Sequence, residues 1–390
     1  MKIDEIRVHP ICLPFRVDFS HSRRKGSFSE NIVVEVISEG GKIKGYGEGA
    51  PRAYVTGESR ATAPASIRYL VNRGDFPWDL HHVSQIWAFV DGLPDMKEHN
   101  ASLCALEMAL LDGLAKAEHR AVRGYFSSGF ETDQIFYGAV LPLGKKERIE
   151  EMSRIVRDLG IRRVKVKLGC DLEESRGILE GVRQVFNGAC ETKADANGAW
   201  DLKTALEHMS LLNQHGVSII EQPMKPRDPD LPRFSKEARR QGFRLMADES
   251  ACSREDTVRV LSESHFDLIN VRLSKCGGFR RSLGIVELLR SRRMPFQIAC
   301  QLGESGLLSA AGRILSLLCK DALYHDGSYD RYLLRENITK EDVTFGYGGR
   351  AGPLPGAGLG VEVDPASLER LRDSAAPLSM TTPQRVPKSL

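Results

Sequence analysis

The stretch VKVKLGC, residues 164–170, decides the fold of this 390-residue chain together with three short segments that follow it: DANGAW (195–200), EQP (221–223) and DES (248–250). Within it Lys165 and Lys167 alternate with Val164 and Val166. That is the period-two pattern of a strand with one apolar and one basic face. Lysine is among the side chains least often buried, and a buried ammonium costs free energy unless something offsets it. The strand therefore implies partners for both amines.

Working outward, short apolar strands are expected at 136–142, 162–168, 191–197, 217–223, 243–249, 268–274, 295–301 and 322–327. Helix-like segments such as KERIEEMSRIVRDLG and FRRSLGIVELLRSR separate them. Eight strand–helix units at near-constant spacing imply a (β/α)8 barrel, with a doubly wound open sheet as the rival. Lys167, Asp195, Glu221, Asp248 and Arg272 end successive strands at intervals of 24–28 residues, one βα unit each, so they share one height at the barrel mouth. Alternation turns Lys165, Lys167, Asn270 and Arg272 inward and Val164, Val166, Ile269, Val271 and Leu273 outward.

Three carboxylates on adjacent strands repel each other unless a cation lies among them. Oxygen-only ligands indicate Mg2+, with Mn2+ as a second candidate, and the absence of His or Cys from the set argues against zinc. The lysines then lie across from the cation. Like charge and burial should lower a lysine pKa and give a neutral base. Cation and base together suit removal of the proton next to a carboxylate, through an enediolate.

Bulk properties fit a soluble enzyme. Hydrophobic residues make up 41% and charged residues 27%, and the net charge of +3 creates no field that favours nucleic acid or a membrane surface. The eight cysteines contain no CxxC pair, which suggests reduced thiols in a cytoplasm. The first residues lack a signal-peptide core, and no apolar run approaches the roughly 20 residues a membrane span requires. GAGLG (356–360) opens no helix after a βαβ unit, so it is not read as a nucleotide loop.

Residues 1–56 read as a strand meander, with a polar loop at 20–30 and a second loop at 50–59. From about 60 to 120 the spacing becomes helical. The expected organisation is an α+β capping domain over 1–125, the barrel over 126–340, and a segment 341–390 that returns to the capping domain and ends in a disordered tail.

These motifs resemble the enolase superfamily, and within it the muconate lactonizing enzyme subgroup of the mandelate racemase/muconate lactonizing enzyme family. VKVKLG resembles the subgroup's KxK motif; DANGAW, EQP and DES resemble its metal-ligand motifs; LSKCGG resembles the segment after strand six. GYGEGAPRAYVTGES looks like the capping-domain loop and ALEMALLDGLAKA like its long helix. The resemblance covers nearly the whole chain. It implies a (β/α)8 barrel with an N-terminal capping domain, Mg2+ on Asp195, Glu221 and Asp248, Lys167 as catalytic base, and Lys165 as the neighbour that tunes it or orients the carboxylate. Loops near 16–30 and 50–59 would close over the mouth, and homo-oligomers are common in the family.

Arg272 departs from the pattern, because the subgroup usually has a second catalytic lysine at that position. Arginine stays protonated and is a poor base, though a good cation for an anionic intermediate. Lys275 lies three residues further on, and regular alternation points it outward unless the strand end bends. The expectation is a cycloisomerase or dehydratase that uses one base, with a dipeptide epimerase or N-acyl amino acid racemase, and a non-catalytic ligand-binding relative, as alternatives. Asn197 and Glu249 are expected to orient metal ligands, with turn formation and capping as the plainer reading. Gln301, Glu304 and Asp326 close strands seven and eight and are candidates to touch a small carboxylate substrate.

Overall fold

A computed structural model describes residues 1–21, 24–373 and 376–382. The chain begins with β1 (Ile3–His21), β2 (Arg24–Ser38) and β3 (Ile43–Gly49), which form an antiparallel meander. Helices α1 (Ala63–Val71), α2 (Val83–Asp91) and α3 (Asn100–Ala117) follow. Helix α3 packs against β3 because glycines 45, 47 and 49 repeat every second residue on one strand face. They meet the carbonyls of Ala101, Ala105 and Ala109, which repeat every fourth residue on one helix face; a Cβ at any of the three glycines would clash with backbone.

The barrel strands are β4 (Ile135–Leu141), β5 (Arg163–Lys167), β6 (Glu191–Asp195), β7 (Ile219–Glu221), β8 (Arg244–Ala247), β9 (Leu268–Arg272), β10 (Phe296–Ala299) and β11 (Tyr324–Asp326). They pair in parallel in sequence order, and β11 closes on β4 through His325↔Tyr137 and Asp326↔Gly138. Closure excludes the open-sheet rival. The intervening helices are α4 (Lys146–Asp158), α5 (Leu172–Phe186), α6 (Leu202–Gln214), α7 (Leu231–Arg240), α8 (Arg254–Glu263), α9 (Leu273–Cys276), α10 (Phe279–Ser291), α11 (Gly306–Leu317) and α12 (Asp330–Leu333). The eighth unit therefore carries only one helical turn. The two-residue strand β12 (Arg350–Ala351), helix α13 (Pro365–Leu371) and strand β13 (Leu378–Thr381) complete the chain.

Two expectations are corrected. The polar stretch 20–30 is not a loop: its described residues continue the β1–β2 hairpin, with Phe19↔Gly26, Ser20↔Lys25 and His21↔Arg24 in register. Pairing of this kind uses backbone groups, so a polar composition does not prevent it. The tail is not wholly irregular either. Strand β13 pairs with β1 through Ile6↔Met380 and its neighbours, while residues 374–375 and 383–390 lie outside the described residues.

Buried carboxylates of the N-terminal unit cap barrel helices. Glu48 accepts from Ser305 N at 3.0 Å and Leu308 N at 3.0 Å at the start of α11, and from Asn31 Nδ2 at 2.6 Å. Glu107 accepts from Phe279 N at 2.5 Å and Arg280 N at 2.9 Å at the start of α10. Each satisfies helix-end donors that have no intrahelical partner. Burial nevertheless pushes the Glu107 carboxyl up to about 7.

His325, outward on β11, is buried, and burial holds its pKa down to about 4. The unfolded chain binds this proton more tightly, so stability is lost as pH falls from about 6.5 towards 4. Urea denaturation at pH 7 and pH 5 is expected to show about 2 kcal/mol more acid loss in the wild type than in His325→Gln. Equal losses in both proteins would contradict it.

Candidate active site

Strand ends meet at the barrel mouth. Lys165 Nζ lies 2.9 Å from Glu221 Oε2, 3.3 Å from Asp326 Oδ2 and 3.9 Å from Asp195 Oδ2. Lys167 Nζ donates to Asp195 Oδ2 at 2.6 Å. Across the mouth Asn270 Nδ2 donates to Glu221 Oε1 at 2.7 Å, and Arg272 donates to Asp248, to Glu221 Oε1 at 3.4 Å and to Gln301 Oε1 at 2.7 Å. Asp195, Glu221 and Asp248 have no solvent exposure.

Lys275 is not directed outward. The chain turns into α9 directly after β9, and Gly277 and Gly278 adopt positive φ. This bend returns the Lys275 amine to the interior side. Its Nζ donates to Asp248 O at 2.9 Å, Asp248 Oδ1 at 3.1 Å and Asn270 O at 2.5 Å, which uses all three protons. It supports Asp248 from behind, whereas Arg272, Lys165 and Lys167 line the cavity at the mouth.

The remaining candidates divide. Asn197 sits at φ 49°; its N–H donates to Asp195 Oδ1 at 2.8 Å and its Nδ2 to Glu249 Oε1 at 3.2 Å. Gln301 and Glu304 form the wall behind Arg272, where Gln301 N donates to Glu304 Oε1 at 2.6 Å. Asp326 lines the cavity and bridges lysines, because Lys193 Nζ also approaches it at 3.7 Å.

Sequence reasoning missed Lys193 and Gln222. Lys193 is inward on β6, bonded to Gln297 and 4.0 Å from the Tyr324 ring centroid. Its signal was available, since it precedes Asp195 by two residues on the same strand face. Gln222 has φ 37°; its Oε1 accepts from Asp248 N at 2.9 Å and Ser250 N at 3.0 Å, and its Nε2 donates to Ser250 Oγ at 2.8 Å. It fixes the end of β7 to the chain after β8, a tertiary role that no local pattern reveals.

Electrostatics follow from this crowding. Burial alone would lower Lys165, but Glu221, Asp326 and Asp195 outweigh it and hold the ammonium above its ordinary range. Burial raises Glu221, yet Lys165, Arg272, Lys167 and Lys193 overcome it and keep the carboxylate well below its usual range. Burial, with Asp248 and Asp195 adding to it, pushes Glu249 up to about 7.

The donor set suits a hard divalent cation, being all oxygen on three adjacent strands. Among the described residues, the buried acceptors at the mouth that have no hydrogen-bond partner include Asn197 Oδ1, Glu249 Oε2 and Asn270 Oδ1. Lys167 meets an oxygen of Asp195, and Arg272 and Lys275 meet the two oxygens of Asp248.

The family described as "Enolase C-terminal domain-like" matches residues 147–367. The chain is 31% identical to the L-Ala-D/L-Glu epimerase of Thermotoga maritima, over 75% of this chain and 81% of that protein. Two solved structures superpose closely. An N-succinyl Arg/Lys racemase from Bacillus cereus has a TM-score of 0.84 at 21% identity, covering 97% of this chain and all of that one. A dipeptide epimerase from Cytophaga hutchinsonii, complexed with Mg and the dipeptide D-Ala-L-Val, has a TM-score of 0.83 at 22% identity, covering 98% of this chain and all of that one.

Proposed function

The chain belongs to the mandelate racemase/muconate lactonizing enzyme family of the enolase superfamily, and we propose that it removes the α-proton of a small carboxylate substrate with one base. Lys167 takes the proton. Lys165 and Arg272 face the negative charge that develops on the substrate carboxylate, in a site from which water is largely excluded. Asp195, Glu221 and Asp248 would hold Mg2+, the ion named with the epimerase relative, and Mn2+ has the same ligand preference. When bound, such an ion supplies Lewis-acid stabilisation of carboxylate charge.

The observation that carries this reading is Arg272. The cation opposite Lys165 and Lys167 is a guanidinium, which cannot return a proton to the second face at neutral pH. Lys275, the nearest alternative amine, is held on Asp248 and Asn270 and does not line the cavity. One-base chemistry suits elimination or cycloisomerisation. The second reading is a dipeptide epimerase or N-acyl amino acid racemase, favoured by the relatives' activities. A non-catalytic role is disfavoured by the buried lysine pair, since a binding module needs no base.

The test is incubation of the Mg2+-loaded protein in D2O with a panel of dipeptides, N-acetyl amino acids and hydroxy or unsaturated carboxylates. Deuterium is expected at the α-carbon of one configuration only, without inversion, and EDTA is expected to stop it. Deuterated product of the opposite configuration would establish the epimerase reading instead. Undetected exchange across the panel, with Mg2+ binding intact, would favour the non-catalytic one.

A further inference from the structure

The cavity above Lys165, Lys167 and Arg272 does not end at the mouth. It encloses about 380 Å3 and continues sideways between α4 and the segment that follows β11. One wall is Met152, Ile155 and Val156 of α4 with Leu159, the residue that caps it; the other includes Tyr332 and Phe345. Residues 152, 155, 156 and 159 have i, i+3, i+4, i+7 spacing, the stripe by which a helix buries itself against a partner. Yet α4 already meets the barrel through buried Ile149 and Ser153, and packs on α5 along a further side. Met152, Val156 and Leu159 of this stripe also touch the hydrophobic core, and the stripe borders the cavity on the side of the segment after β11, where an eighth barrel helix would follow.

That helix is reduced to the four residues of α12. The stripe is consequently only partly covered: Ile155 remains 48% exposed and Tyr332 38% exposed, while Met152, Val156 and Leu159 are half-buried. From Met152 to Leu159 the groove follows α4 for about 10 Å at 1.5 Å per residue. Its α4 wall is apolar from Met152 onward, Glu151 and Asp330 add carboxylates to the lining, and the same cavity reaches the lysines at its inner end.

We propose that this groove is a subsite for the non-reacting end of the substrate, and that this end is a hydrocarbon or arylalkyl chain on the carboxylate whose α-proton is removed. The inference rests on the one-base carboxylate reading above for its inner end, and on the shortened eighth helix for its outer end. A chain lying there exchanges water for apolar walls on both sides. Partial exposure of the groove reduces the full gain of burying a methylene.

The experiment measures binding of N-acetyl-, N-hexanoyl-, N-octanoyl- and N-decanoylglycine to the Mg2+-loaded protein by calorimetry, below their aggregation concentrations. Affinity is expected to rise about twofold to threefold per methylene across the series. Ile155→Glu places a charge on the exposed rim and should remove most of that gain while leaving N-acetylglycine binding unchanged. Val156→Trp, filling the groove, should do the same, and gel filtration with thermal denaturation establishes that both variants fold.

Affinity independent of chain length would overturn the inference, as would a gain that both variants retain. A change of oligomeric state in Ile155→Glu without loss of the chain-length effect would identify the groove as a subunit interface and also overturn it. These failures leave the carboxylate reading intact if N-acetylglycine still binds only with Mg2+. Failure of that reading shows separately, as undetected α-proton exchange in D2O.

Discussion

Lys167→Met is expected to lower the rate of α-proton exchange by about a thousandfold or more, within the range attributed to a positioned general base. The substitution keeps an unbranched side chain as far as Cε, with sulfur in place of Cδ, and removes the amine. Lys167 Nζ touches Asp195 Oδ2 at 2.6 Å, so its loss also frees one carboxylate oxygen for a cation, and Mg2+ affinity should not fall. Lys165→Met makes the contrast. Lys165 lies among Glu221, Asp326 and Asp195, and removing it leaves several buried carboxylates short of a partner. Breaking a buried pair in this way costs about 3–5 kcal/mol, so that variant should lose thermal stability as well as activity. Deuterium exchange followed by NMR, beside denaturation curves, separates the two cases. Exchange at the wild-type rate in Lys167→Met would remove the base from the mechanism.

Arg272→Lys is expected to change the outcome of the reaction rather than only its speed. The wild type should return substrate of unchanged configuration, because a guanidinium does not deliver the second proton. A lysine at this position places an amine across the mouth from Lys167. Inversion should then rise from undetectable to within about a hundredfold of the exchange rate, the scale of a base whose geometry is imperfect. The same substitution loses the fork that joins Gln301, Asp248 and Glu221, so some stability should go with it. Chiral chromatography of substrate recovered from D2O reads both configurations. Inversion by the wild type itself would show that another group protonates the second face, and one-base chemistry would fall.

Much of this molecule was legible in the chain. Alternation placed Lys165 and Lys167 on the inward face of β5, because side chains in a strand have a period of two wherever the strand lies. Spacing of one βα unit put Asp195, Glu221 and Asp248 at adjacent strand ends, because parallel pairing with short crossovers keeps successive strands in register.

What local pattern did not carry was decided by contacts between distant segments. Alternation sent Lys275 outward, and only the turn of α9 brought its amine onto Asp248. The 20–30 stretch read as a loop until its backbone found a partner strand. Local pattern gave Lys165 a neighbouring lysine, whereas the closed barrel surrounded it with acids from β6, β7 and β11. The side groove depends on a helix that is short, and on what stands opposite α4 in its place. Periodicity is a property of consecutive residues and survives without the fold. Charge environment, the direction of a side chain past a strand end, and the shape of a cavity exist only once residues far apart in sequence are brought within a few ångströms.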